Sequence, residues 1–151
     1  MFDSLNISAS ALTAQRLRMD VTSSNIANAQ TTRGKLVNGV WEPYRRKMTV
    51  MEPREKNFNE ILQNEMQKQS GSQQQLQGVR VTGIVEDQTP FKAVYDPSHP
   101  DANADGYVYM PNVDLSKEMV DLLAASRSYE ANVTAFNTGK SMMLKALEIG
   151  Q

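Results

Sequence analysis

The segment DLSKEMVDLLAASRSYEANVTAFNTGKSMMLKALEI, residues 114–149, decides the fold because it carries an apolar residue at every seventh position. The positions in this first series are Leu115, Leu122, Tyr129, Phe136 and Met143. A second series with the same spacing is Met119, Ser126, Val133, Lys140 and Leu147. Eight of these ten a and d positions are apolar, which is typical of a coiled-coil helix.

The start of the chain has the same seven-residue spacing. Its apolar positions are Leu5, Leu12, Met19 and Ile26. Asp3 or Ser4 can cap this helix, which we expect to end near Ala29, and Asp114 can cap the C-terminal helix, which we expect to end near Ile149. The sequence therefore predicts a mainly α fold in which long N- and C-terminal helices pair as a coiled coil.

The middle of the chain has the character of a small, irregular β region. An Asn38-Gly39 pair between short apolar runs predicts a β-hairpin. Further strands are predicted near residues 47–51, 79–85, 91–95 and 107–110. Seven of the fifteen residues in 63–77 are glutamine, a composition that predicts a flexible segment. We therefore divide the chain into a terminal helical coiled-coil domain, residues 1–30 and 113–151, and a central β/loop region, residues 31–112.

The two predicted helices differ in length, about 27 against 36 residues, so part of the longer apolar seam has no partner within the chain. An uncovered apolar stripe predicts an interface between molecules. The candidate assembly-interface residues are Leu5, Leu12, Met19, Ile26, Leu115, Met119, Leu122, Tyr129, Val133, Phe136, Met143 and Leu147.

Composition argues against several classes of function. The 16 basic and 17 acidic residues give a net charge of −1, which provides no electrostatic basis for binding nucleic acid or anionic lipid. The chain has no cysteine, so thiolate metal sites and a cysteine nucleophile are absent. No apolar run approaches the roughly 20 residues that span a bilayer, and the N-terminus lacks the apolar core of a signal peptide. We expect neither membrane insertion nor Sec-type secretion.

Residues 101–106, Asp-Ala-Asn-Ala-Asp-Gly, match the opening of a calcium loop. The match fails at Asn112, where a bidentate carboxylate is required, and Pro97 and Pro100 interrupt any preceding helix. A turn is the favoured interpretation, with a weak calcium-binding module as the alternative. The single histidine, His99, has no base–nucleophile arrangement around it. The sequence thus predicts no catalytic, cofactor-binding or metal residue and no small-molecule substrate.

Three consecutive basic residues, 45–47, lie beside Trp41 and Tyr44. Charge next to aromatic rings is one way of binding single-stranded nucleic acid. In a chain of nearly neutral net charge, ion pairs on an edge strand or with a neighbouring subunit are the favoured interpretation.

Two motifs in order resemble those of the bacterial flagellar basal-body rod and hook family. The first, Ser23, Ser24, Asn25, Ile26, Ala27 and Asn28, resembles the signature at the end of that family's first helix. The second comprises residues 110–114, 118–120, 125–132 and 140–144 and resembles the family's C-terminal region.

This resemblance implies an axial structural protein with no catalytic activity and no cofactor. It implies export through the flagellar type III apparatus and helical polymerisation, with itself and other rod proteins, into a shaft that transmits torque. The expected location is the flagellar basal body outside the cytoplasmic membrane, in the periplasmic space where one is present. Ser23, Asn25 and Asn28 would then satisfy polar contacts after the first helix. An autonomous coiled-coil adaptor remains the alternative.

Overall fold

The computed structural model describes residues 2–54 and 78–149. The elements in chain order are α1 (Phe2–Ala27), β1 (Lys35–Val37), β2 (Val40–Glu42), β3 (Lys47–Pro53), β4 (Val79–Glu86), β5 (Lys92–Tyr95), β6 (Tyr107–Met110) and α2 (Leu115–Ile149). Two long terminal helices around a small antiparallel β region are therefore confirmed. The glutamine-rich segment predicted at 63–77 lies outside the described residues.

Helix α2 begins where the sequence predicts, after Asp114. The Asp114 carboxylate oxygen Oδ1 accepts hydrogen bonds from the backbone N–H of Ser116 (3.0 Å) and Lys117 (3.3 Å). The Asp114 carbonyl accepts the first helical bond, from the N–H of Glu118 (2.9 Å). The cap thus satisfies amides that would otherwise have no partner at the helix start.

Helices α1 and α2 pack against each other in an antiparallel arrangement. Near the start of α1, the Leu5 side chain lies 3.2 Å from the place that a Cβ on Gly139 would occupy. At the other end of α1, Asn25 donates a hydrogen bond to Glu118. Increasing residue numbers on α1 therefore meet decreasing numbers on α2. The knobs-into-holes coiled coil indicated by the heptads stays a prediction.

Small side chains allow the two helices to approach closely: Ala14 and Ala125 are buried, and Gly139 accommodates Leu5. Helix α1 has 26 residues and α2 has 35, a difference of about 13 Å along the axis. Because the start of α2 is aligned with the end of α1, the extra length of α2 lies at its C-terminal end and extends beyond α1.

The predicted hairpin is confirmed as β1 and β2, with Val37 paired to Val40. Asn38 (φ 50°) and Gly39 (φ 83°) both have positive φ, as the two central residues of a type I′ turn require. Strands β3 and β4 form a longer antiparallel ribbon with an irregularity between Val50 and Met51, and β5 pairs with β6.

The β3–β4 ribbon packs on α1 where β4 begins. The Val79 N–H donates to the Ser10 hydroxyl (3.2 Å), and a Cβ on Gly78 would lie 2.3 Å from that oxygen. Gly78 also has a φ of 88°, so glycine is required both for backbone conformation and for space. Neither described helix is long and apolar enough to cross a lipid bilayer.

Candidate functional site

Asn25, in the last turns of α1, lies at the centre of a buried polar cluster. Its side-chain amide donates to the Lys47 carbonyl (2.8 Å) and its oxygen accepts from the Lys47 N–H (2.9 Å). This pair of bonds imitates the pairing of a neighbouring strand at the start of β3. The same oxygen accepts from the Tyr44 hydroxyl (3.0 Å). One side chain therefore connects the end of the first helix to the main chain of the β region.

Glu118, in the first turn of α2, is the second member of the cluster and is only 1% exposed. One carboxylate oxygen accepts from the Asn25 amide (2.9 Å) and the other accepts from Arg46 Nε (2.6 Å). A buried carboxylate is tolerated only when it is paired and hydrogen-bonded, and here both oxygens have charged or polar donors. We use the name polar junction for the set Asn25, Arg46, Asp87, Asn112, Glu118 and Asp121.

The Arg46 guanidinium extends the junction to two further carboxylates. Its terminal nitrogens lie 3.6 Å from Asp87 and 3.6 Å from Asp121, and Asp121 also pairs with Arg18 of α1 at 3.2 Å. Burial of the guanidinium lowers the pKa of Arg46, but the hydrogen bond to Glu118 and the three nearby carboxylate charges outweigh it and raise that pKa. Arg46 therefore holds α2, β3 and the end of β4 together as a permanent cation.

Asn112, just before α2, connects the remaining backbone of the junction. Its oxygen accepts from the Arg46 N–H (2.8 Å), while its amide donates to the carbonyls of Asp87 (3.1 Å) and Thr89 (3.2 Å). The N–H and hydroxyl of Thr89 are the largest cause of the lowered pKa of Asp87, with Arg46 contributing. Two asparagine side chains thus pair with the main chain of adjacent residues: Asn112 with Arg46, and Asn25 with Lys47.

The rest of the signature segment stabilises the turn that follows α1. The Asn28 amide donates to the Ser24 carbonyl (2.9 Å), and Thr31 donates to the Asn28 oxygen (3.3 Å). The Ser24 hydroxyl lies 3.5 Å from the Tyr44 hydroxyl. Ser23 and Ala27 are exposed, and Ile26 is half-buried. Among the polar members of the signature, Asn25 therefore belongs to the junction, and Ser24 and Asn28 stabilise the following turn.

The predicted assembly-interface residues fall into two groups. Half-buried residues are Leu5, Leu12, Met19, Ile26, Leu122, Tyr129, Val133, Phe136 and Met143. Exposed residues are Leu115, Met119 and Leu147, with Leu147 at 70%. Further exposed apolar residues on α2 are Val120, Leu123, Met142, Leu144 and Ile149. Helix α2 therefore keeps much apolar surface outside the pairing with α1.

The buried residues of α2 include two that lie one position before Met119 and Ser126 of the second predicted series. Glu118 and Ala125 are buried, whereas Met119 is exposed. Ala125 and Gly139 are small enough to let α1 approach, and Glu118 is accepted because its charge is paired. Hydrophobicity alone favoured Met119, since a charged residue is normally assigned to the surface.

A cleft of about 300 Å³ adjoins the junction, between α1, β3 and the start of α2. Its lining includes Arg18, Thr22, Met48, Met51 and Asp121. The charged groups of the lining are largely paired with each other, so the cleft presents no unpaired cluster of one sign.

The calcium-loop residue Asp101 makes other contacts. One carboxylate oxygen accepts from Arg33 Nε (2.8 Å) and the other from the Thr32 hydroxyl (2.8 Å). The hydrogen bond from Arg33, followed by that from Thr32, lowers the pKa of Asp101. Across residues 2–54 and 78–149, no group of three or more acidic or histidine side chains is placed to hold a metal ion.

The basic run 45–47 makes contacts within the chain. The Arg45 guanidinium lies 4.4 Å from the centre of the Phe91 ring, and the Lys47 ammonium lies 5.6 Å from that of Tyr44. Arg46 belongs to the junction. The interpretation favoured from the sequence was ion pairs on an edge strand or with a neighbouring subunit, and Arg46 makes such pairs within the chain.

Sequence reasoning missed Glu118, Arg46, Asp87 and Asp121 as a cluster. The β-region members of this cluster are separated from its α2 members by long stretches of chain, so no local spacing in the sequence reveals the cluster. The one available signal was Glu118 itself, which shares the heptad position of Ala125 and Gly139.

Known proteins resemble the chain over its whole length. A family profile described as "Flagella basal body rod protein" matches residues 5–34, and one described as "Flagellar basal body rod FlgEFG protein C-terminal" matches residues 104–149. The flagellar basal-body rod protein FlgC of Bacillus subtilis (strain 168) is 60% identical over 150 residues, 99% of this chain and 98% of that protein. FlgC of Borreliella burgdorferi is 44% identical over 100% of this chain and 98% of its own length. FlgC of Salmonella typhimurium is 44% identical over 97% and 95%.

Proposed function

The chain belongs to the FlgC family of flagellar basal-body rod proteins, and we propose that its subunits polymerise helically into the proximal rod, which transmits torque from motor to hook. It is a structural subunit of the flagellar basal body and not an enzyme. Its partners in the proposed assembly are further copies of itself and other rod proteins.

The observation that carries this proposal is the uncovered apolar surface of α2. Beyond the N-terminal end of α1, Leu147 is 70% exposed and Ile149 is 86% exposed. Exposed apolar surface of this extent indicates contact with another protein. We propose that the terminal helices, residues 1–30 and 113–151, form a coiled-coil layer in which neighbouring subunits cover this surface.

The polar junction supports the transmission of torque. It connects both helices to the β region through charge-assisted hydrogen bonds, centred on Arg46 and Glu118. Removal of Arg46 would leave the buried Glu118 carboxylate without a charged partner, so rotation of the helices relative to the β region is costly. A rotating shaft requires this stiffness between its layers.

We further propose that the chain leaves the cytoplasm through the flagellar type III apparatus, as an unfolded thread. The sequence contains no cysteine, so no disulfide has to be reduced before passage. Burial of the terminal helices between subunits would then supply stability that a single chain lacks. The resulting location is outside the cytoplasmic membrane.

Replacement of one half-buried seam residue tests the proposal. Phe136→Asp places a charge in the seam of α2, and we expect it to abolish incorporation into the rod and motility while secretion continues. The control is Asn137→Asp, which adds a charge at the neighbouring exposed position. Basal bodies purified from each strain are probed for the subunit, and culture medium is probed for secreted chain. Normal motility of the Phe136→Asp strain would contradict the proposal.

A further inference from the structure

The β1–β2 hairpin, residues 35–42, makes little contact with the other described helices and strands. None of its residues is buried, and among the described elements it packs extensively only on itself. A two-stranded hairpin alone is marginally stable in water. Its exposed surface is nevertheless rich in apolar side chains, namely Leu36, Val40 and Trp41.

The base of the hairpin is firmly fixed, so the hairpin has a defined direction. The Gly34 N–H donates to the Glu42 carbonyl (2.8 Å), and the Tyr44 N–H donates to the Thr31 carbonyl (3.1 Å). A Cβ at Gly34 would lie 2.7 Å from the Tyr44 backbone, so only glycine allows this approach. The hairpin is therefore a directed arm rather than a loose loop.

The arm presents a compact apolar face. Leu36 and Trp41 lie directly opposite each other across the two strands. Trp41 is the only tryptophan of the chain and is 53% exposed. Tryptophan is strongly enriched among the residues that contribute most to protein interfaces. Exposure of this apolar face to water is energetically unfavourable.

The size of the face indicates which kind of partner covers it. A buried tryptophan contributes about 150–250 Å², and its one aliphatic neighbour on this face, Leu36, leaves the total well below the roughly 800 Å² that each partner contributes to a stable interface. The arm alone therefore cannot hold a soluble partner. It fits a neighbour that other contacts, here the terminal helices, have already brought into position.

We propose that the β1–β2 hairpin docks on a second copy of this chain in the assembled rod, at a surface outside the hairpin. This inference rests on the proposed function, which supplies the neighbour. Contact between two identical hairpins would be symmetric and would close a dimer, whereas a contact between two different surfaces continues from subunit to subunit. The latter arrangement is compatible with helical growth.

Photo-crosslinking in cells tests the proposal with the full chain. A photoreactive benzoyl-phenylalanine replaces Trp41, and a matched strain carries it at exposed Gln88. Basal bodies are irradiated, and crosslinked peptides are identified by mass spectrometry. We expect the Trp41 position to give a product of twice the chain mass, joining the hairpin peptide to a peptide outside residues 35–42, in excess over the Gln88 position.

Several results would overturn the proposal: no excess over Gln88, a hairpin-to-hairpin product, or a product containing only another rod protein. With any of these results, rods and motility that persist in the strains mean that the hairpin inference fails while the rod function stands. Trp41→Ala, compared with Trp41→Phe, provides a second measurement. We expect incorporation of Trp41→Ala to fall by on the order of tenfold, as for loss of an aromatic anchor, and Trp41→Phe to retain most of it. Equal incorporation of both variants would also contradict docking.

Discussion

The two ends of helix α2 reverse the usual distribution of polar and apolar residues. At its start, charged Glu118 is 1% exposed and fully paired, whereas near its end Leu147 and Ile149 lie in solvent. Burial normally follows hydrophobicity, so each end needs its own explanation. The first is complete within one chain, because its partners come from α1 and the β region. The second lies beyond the N-terminal end of α1, where the proposed assembly would cover it with another molecule.

Removal of the Glu118 carboxylate should have the largest effect on an isolated chain. Glu118→Ala removes the acceptor of Arg46 Nε and of the Asn25 amide, and leaves Arg46 only the carboxylates of Asp87 and Asp121, each 3.6 Å away. We expect a loss of about 3 kcal/mol in the free energy of unfolding. Urea denaturation of the purified chain measures it. The matched control is Glu130→Ala, which breaks an exposed pair with Arg127 on the same helix and should cost about 0.5 kcal/mol. Equal losses of stability for both variants would mean that the buried Glu118 pairing contributes no more than an exposed ion pair.

Asn25→Ala tests the part of the junction made by α1. The change leaves the Lys47 N–H and carbonyl and the Tyr44 hydroxyl without their partner, and we expect a loss of about 1–3 kcal/mol. Asn132→Ala is the control, because within the described residues the Asn132 amide bonds to the Ser128 carbonyl alone, one turn earlier in its own helix. Thermal and urea unfolding should separate the two variants; a control that is as unstable as Asn25→Ala would refute the special role of the junction.

The stability of the junction should depend on pH in acid, with a smaller effect. The pKa of Asp87 is lowered in the folded state, so its contribution is complete above the unfolded value of about 3.9 and is lost as the pH falls through the folded pKa. Unfolding midpoints in urea, measured between about pH 6 and about pH 2.5, should decline in the wild-type chain. Asp87→Asn should weaken that decline. The control is Asp105→Asn, a substitution at an exposed position, and its unfolding midpoints should change with pH as those of the wild-type chain do.

Leu147→Ala should have the smallest effect on the isolated chain. Because Leu147 is mostly in solvent, we expect a change within about 0.5 kcal/mol in the free energy of unfolding. Incorporation into rods should nevertheless fall, since the lost side chain belongs to the proposed interface. Glu148→Ala, at the adjacent exposed position, should leave both quantities unchanged. A large loss of stability in the isolated Leu147→Ala chain would mean that α2 is completed within one subunit.

Local patterns in the sequence were sufficient for the elements. The Asp114 cap, the Asn38-Gly39 turn and the heptads of α2 each express a rule that acts over a few residues, and the structure contains all three elements. Strand β6 likewise spans residues 107–110, as predicted. These features could be predicted because the chemistry that specifies them lies in neighbouring residues.

The junction could not be predicted in the same way. Arg46 and Glu118 are 72 positions apart, and neither has a distinctive local pattern. A single charged residue is assigned to the surface by default, which is why Met119 was favoured over Glu118. Asn25 was identified through the resemblance to a known family, but its bonds to Lys47 depend on how the β region folds back onto α1. Tertiary packing therefore carries the information that the sequence pattern lacks.

The partners of Asn25 also affect how this site can evolve. Two of its hydrogen bonds go to main-chain atoms of residue 47, which every residue type except proline provides in full. These two bonds therefore place no requirement on the side chain at position 47, and a change at position 25 has no compensating substitution at position 47. Suppressor screens starting from an Asn25 mutant should return reversion or changes elsewhere, and none at Lys47. For these two bonds, selection therefore acts on the identity of residue 25, because the carbonyl and N–H of residue 47 are present whatever its side chain.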